Sequence, residues 1–178
     1  MKKILIFILS IVLFNSCKTT YKLNELKTDQ CSDFRYGMIE AKRVLNNTEK
    51  KELENKGMLV QDFLFETVYQ GIWNKSWDDK KLSATPIKKL KEYSIEEKIS
   101  EGIKLQELAE DRRPCTLLIL AFASLNETEL ESYGKLLNSK SPYYRLETQY
   151  KYVQRIAENP CIKHISIIKQ MDTPDFKN

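Results

Sequence analysis

His164 is the single histidine of the chain, and three of the cysteines, Cys31, Cys115 and Cys161, are scattered far from one another. Imidazole and thiol groups bind zinc or cycle electrons when they cluster, typically through a C-x-x-C spacing, and no such spacing occurs. A Ser-His or Cys-His enzyme would have to use His164, and no nucleophile is marked as its partner. The glycine, lysine and histidine patterns of P-loops, dinucleotide folds, serine hydrolases, zincins and EF-hands are missing. Carboxylates are plentiful, but they fall where solvent-facing helix residues would sit, which leaves a small envelope hydrolase as the least favoured reading. No catalytic residue, metal ligand or cofactor is therefore expected. The side chains best suited to recognition are aromatic. Tyr69, Trp73 and Trp77 recur at i, i+4 and i+8, away from a neighbouring aliphatic stripe. Such residues are enriched in binding hot spots and also stack on sugars.

Cys17 has a different setting. Met1-Lys2-Lys3 opens a short basic region, and an apolar run of 11 residues, Ile4 to Phe14, follows. That run falls short of the roughly 20 residues a membrane span requires. Basic start, short apolar core and a small residue before the break have the form of a secretory signal. With Ser16 before Cys17 and Leu13 close by, the segment resembles a bacterial lipoprotein signal. Phe14 and Asn15 depart from that family's preferred box. The resemblance implies removal of residues 1–16, lipidation of Cys17, and attachment to a membrane without spanning it. Two or more acyl chains hold a protein on a bilayer where one does not.

The signal reading alters two counts. The chain holds 29 basic and 25 acidic residues; losing Lys2 and Lys3 leaves 27 against 25, a net charge of +2. A nucleic-acid partner is not expected from so balanced a chain. Three thiols remain in an oxidising compartment, enough for one disulfide. Cys115 and Cys161 each adjoin a proline, Pro114 and Pro160, and a Cys115–Cys161 bridge is the favoured pairing.

The elements that must position these residues read as helices. Residues 17–30 form the lipidated cysteine and a polar tether, spanning roughly 20 Å as a flexible coil. Residues 31–172 form one domain, and residues 173–178 a disordered tail. Val60, Leu64, Val68 and Ile72 repeat every four residues, predicting one helix across 60–73. Ser94 and Glu97 have capping-box spacing, as do Asn126 and Glu129. The apolar run Cys115 to Leu125 reads as a central buried helix, with a buried strand as its competitor. Ser141-Pro142 reads as the start of a further helix ending at Pro160. Residues 161–170 fit helix or edge strand. No internal repeat stands out. The expectation is an all-α bundle of five to six helices.

The run Leu120 to Val153 resembles the domain-of-unknown-function family 2059, exported helical bacterial proteins, through Leu125, Thr128, Glu129, Leu130, Tyr133 and Ser139. The resemblance implies a small periplasmic helical domain with no established catalytic residues. Taken together, the sequence points to an outer-membrane lipoprotein facing the periplasm that binds a protein partner. The alternative is a ligand or glycan binder using the aromatic ridge.

Overall fold

Two antiparallel four-stranded sheets, joined by short helices, replace the expected helical bundle. The computed structural model describes residues 28–100 and 108–168. After a 3₁₀ turn at Thr28–Asp33 come β1 (Phe34–Ala41), α1 (Asn47–Asn55), β2 (Met58–Phe65), β3 (Val68–Asn74), α2 (Asp79–Ser83), β4 (Ile87–Glu92) and α3 (Ile95–Lys98). The second half holds β5 (Pro114–Ala121), α4 (Glu127–Glu131), β6 (Lys135–Lys140), β7 (Tyr143–Gln149), a 3₁₀ turn at Tyr150–Tyr152, α5 (Val153–Ala157) and β8 (Ile162–Ile168). Thr28–Gln30, expected in the tether, belong to the first 3₁₀ turn. Cys17 and the tail 173–178 lie outside the described residues.

The segments that form strands in place of helices share a cause. Residues four apart lie on one face of a helix, but they also lie on one face of a strand, whose side chains alternate. The stripe from Val60 to Ile72 is in fact the hairpin β2–β3, turning at Glu66, whose φ is 47°. Its Phe, Val, Tyr, Ile and Trp content favours a pleated surface. The run from Cys115 becomes β5, an interior strand paired with β7 and β8, with Cys115, Leu117, Ile119 and Ala121 buried on one face and Leu118 exposed on the other. Ser141-Pro142 makes the turn into β7. Residues 120–153 therefore lack the helical order implied by the family resemblance. Of the three cap signals, those at Ser94 and Asn126 are correct and that at Ser141 is not. Asn126 accepts from the Glu129 N–H, and Ser94 and Glu97 close a capping box, although α3 stops at Lys98. Gly57, at φ 85°, takes the left-handed position after α1 that glycine tolerates best.

The second half repeats the first, against the expectation of no repeat. Each half runs β-α-β-β-α-β, and each sheet has the order second, third, first, fourth strand, a split βαβ topology. The strand register shifts at Glu40/Ala41 in one half and Leu120/Ala121 in the other. Leu45-Asn46-x-Thr48-Glu49 matches Leu125-Asn126-x-Thr128-Glu129. In each copy the leucine N–H donates to a buried tyrosine hydroxyl 2.9 Å away, Leu45 to Tyr69 and Leu125 to Tyr144. Tyr69→Phe and Tyr144→Phe should each strand a buried N–H, costing about 1–3 kcal/mol. Urea unfolding of both variants checks this. Losses of similar size in the two are expected, and a loss in only one would break the equivalence of the halves.

Helices cover one face of each sheet. In the first half, Ile39, Met58, Tyr69, Trp73 and Ile87 pack under Leu53 and Leu82. In the second, Leu117, Ile119, Leu146 and Ile165 pack under Leu130, Val153 and Ile156. The other face of the first sheet, through Phe34, Tyr36 and Ile72, joins the second core. The disulfide is Cys31–Cys161, which corrects the expected Cys115–Cys161 pairing. Register explains it. β8 runs antiparallel to β5 with Ile162 beside Ala121, and the Phe122 N–H donates to the Cys161 carbonyl at 2.9 Å. Cys115 is at the far end of β5, about 20 Å along the strand and beyond disulfide reach. It keeps a free, buried thiol, which burial pushes up to a pKa of about 11.

Candidate binding surfaces

The two sheets meet at a cleft enclosing about 660 Å³, within the range of small-molecule sites, which favour junctions between structural units. The first sheet contributes Tyr36 from β1 and Gln70 from β3. Tyr93 follows β4, its N–H donating to the Tyr36 carbonyl at 3.1 Å. Glu96 and Ser100 come from α3 and the residues after it. Leu120 and His164, cross-strand partners in the second sheet, form the opposite wall. Lys163 sits where the β5–β8 register shifts, and a bulge of this kind re-aims a side chain. Its Nζ donates to Gln61 Oε1 at 2.5 Å and lies 5.5 Å from the Tyr36 ring centroid.

A hydrogen-bonded chain lines the floor. The Tyr36 hydroxyl donates to Gln70 Oε1 at 3.0 Å, and Gln70 Nε2 donates to the Tyr93 hydroxyl at 3.1 Å. The two tyrosine rings meet edge to face, centroids 5.4 Å apart. Burial, helped by Tyr93 and Asp62, raises the Tyr36 pKa and keeps its proton in place. Burial lowers the Lys163 pKa, with Asp62 offsetting part of that effect. Glu97 is held low by hydrogen bonds from Lys91 and from the Ser94 backbone.

A second surface caps the first sheet. Phe63, Leu64 and Phe65 end β2, with Phe63 56% and Phe65 57% exposed, and Val44 in the β1–α1 loop is 62% exposed. The Ala41 N–H donates to the Thr67 carbonyl at 2.9 Å, which sets that loop beside the hairpin turn. The other sheet edges are guarded. β4 carries Lys88, Lys89 and Lys91, β6 carries Lys135 and Lys140, and Ile99 bridges β8 at Ile165. The end of β2 carries phenylalanines where its counterparts carry lysines.

The expected aromatic ridge is divided by the fold. Tyr69 is 1% and Trp73 5% exposed, both within the first core, so neither is a surface anchor. Trp77, partly buried, lines a concavity with Glu52, Asn55 and Lys81 beside α1 and α2. His164 faces the cleft. The groups that join it there were not singled out from the sequence, because Tyr36, Gln70, Tyr93 and Lys163 share no motif and meet only through long-range strand pairing. Among the described residues no group of three or more His, Cys, Asp or Glu could hold a metal ion, and no helix is long and apolar enough to cross a membrane. Comparison with family models, curated proteins and solved structures finds no match to this chain.

Proposed function

We propose that this chain is a lipid-anchored protein of the bacterial envelope, outer-membrane bound and periplasm-facing, that acts by holding a protein partner. The anchor rests on the basic and apolar start ending at Cys17. Binding rests on one observation: the exposed cluster Phe63, Leu64, Phe65 and Val44 at the open end of an edge strand. Exposed apolar patches of this kind mark interaction sites, and an edge strand offers backbone groups to an incoming chain. A photoreactive amino acid at Phe65 in the anchored, full-length protein should give one dominant protein adduct from native envelopes. Phe63→Ser should abolish that adduct without unfolding the protein. Adducts to lipid alone, or none, would refute the partner reading. The anchor has its own check: palmitate label should vanish in Cys17→Ala.

Trp77 supports a second reading, a sugar-binding role, since the concavity beside it combines an indole with amide, carboxylate and ammonium groups. Loss of glycan binding in Trp77→Ala, with Phe63→Ser unaffected, would favour it.

A further inference from the structure

Several side chains of the cleft between the sheets have hydrogen-bond donors to spare. In the chain Tyr36–Gln70–Tyr93, two hydroxyl protons face one amide oxygen and one amide nitrogen. Whichever way the amide is turned, one hydroxyl donates to it and the other receives from it, so one hydroxyl proton is left over. With Gln70 Oε1 toward Tyr36, it is the proton of Tyr93. The Ser100 hydroxyl accepts from the Ile167 N–H at 3.4 Å, leaving its own proton to give. Lys163 gives one of its three protons to Gln61. A ligand seated here is therefore asked for acceptor oxygens.

Charge narrows the class. Among the described residues Lys163 is the one Lys or Arg lining the cleft; Glu96 and Glu97 share the wall, and Asp62 is near enough to act on Lys163. Glu97 is already paired with Lys91, while Glu96 faces solvent nearby. With these carboxylates already balancing part of its charge, the Lys163 ammonium accommodates a single negative charge more readily than a dianion. The half-buried ammonium has lost part of its hydration, which an incoming anion would restore. The tyrosine rings, Ile99 and Leu120 supply apolar contact for the ligand's body. We propose that this cleft binds a small monocarboxylate, its carboxylate held by Lys163 with the hydroxyls of Tyr93 and Ser100. This goes beyond partner binding and uses none of the residues of the apolar tip.

The only histidine of the chain lines the cleft and gives a unique reporter. Imidazole proton resonances of His164 are followed in the full-length protein during titration with N-acetylglycine, inorganic phosphate and N-acetylglucosamine at fixed ionic strength. N-acetylglycine should give a saturable shift, with a weaker response to phosphate and none to the neutral sugar. Lys163→Met should weaken N-acetylglycine binding by roughly tenfold or more, as loss of a charge-assisted hydrogen bond requires. Tyr93→Phe, which keeps the ring, should weaken it by about two- to tenfold. Lys163→Arg should retain the saturable shift and shows that the fold tolerates change at this position. The proposal is overturned if no probe saturates, if sodium chloride alone reproduces the shift, if phosphate binds more tightly than N-acetylglycine, or if Lys163→Met binds as the parent does.

Discussion

Trp73→Ala is expected to cost roughly 3–5 kcal/mol of folding free energy, the range for truncating a large buried aromatic. Trp73 lies near the end of the interior strand β3, opposite Arg35 on β1 and Met58 on β2. Its side chain joins Ile39, Met58 and Tyr69 beneath the helices. Nothing behind it can refill the space cheaply, because both strand neighbours are held by backbone pairing. For a domain of this size, the melting temperature should fall on the order of 10 °C. Chemical denaturation followed by circular dichroism reads the loss directly. A recognition residue would behave in the opposite way, weakening binding while leaving stability near its parent value. Unchanged denaturation of Trp73→Ala would return this residue to the surface and undo the placement of the first core. Trp77→Ala, at the half-buried end of the same cluster, should cost clearly less.

The contrast between Trp73 and Trp77 shows what the sequence makes legible. Caps were readable because each is written in four consecutive residues, as at Ser94–Glu97 and Asn126–Glu129, and a hydrogen bond closes over that span whatever surrounds it. Strand against helix was not readable from a repeat of four, since period two and period 3.6 both accommodate it over a short run. The segment from Val60 to Ile72 failed for this reason, and two register shifts in β2 scrambled its faces further. β5 was ambiguous because its less buried face carries Leu118 and Leu120 as well, so the sequence lacks the apolar–polar alternation that its burial shows. The duplication left one visible trace, the Leu-Asn-x-Thr-Glu stretch, where an N-cap and a buried amide restrict the choices. Elsewhere the copies diverge: α1 has nine residues and α4 five. The cleft was least legible. Tyr36 and Lys163 are brought together by two sheets and a disulfide, none of which leaves a local pattern. His164 was visible as a lone histidine, but its surroundings were not.

That disulfide carries the second large effect. Cys31 and Cys161 close a loop of 130 residues, with Cα atoms 5.1 Å apart. On the chain-entropy account a loop of that length stabilises the fold by about 5 kcal/mol, and removal of native bridges typically costs about 2–5 kcal/mol. Both sulfurs are fully buried, so the cost of cavities in a serine variant adds to the lost constraint. Cys31→Ser and Cys161→Ser should therefore lose similar amounts, and the double variant little more than either, since all three remove the same bond. Cys115→Ser should leave the bridge intact, with any loss confined to packing around β5. Non-reducing peptide mapping should recover Cys31 joined to Cys161 and Cys115 alkylated once the protein is unfolded. A Cys115–Cys161 peptide would refute the β5–β8 register, because that register keeps the two thiols at opposite ends of a strand. The position of the bond also bears on anchoring. Cys31 lies in the 3₁₀ turn directly after the expected tether, and Cys161 at the start of the last strand. With the proposed lipid on Cys17, a pull from the membrane would thus reach both halves at once, instead of peeling β1 from the first sheet. In the anchored protein, Cys31→Ser should accordingly raise protease cleavage near the β1 end more than near β6, and equal cleavage at both would show that the bridge stabilises the fold without sharing the load.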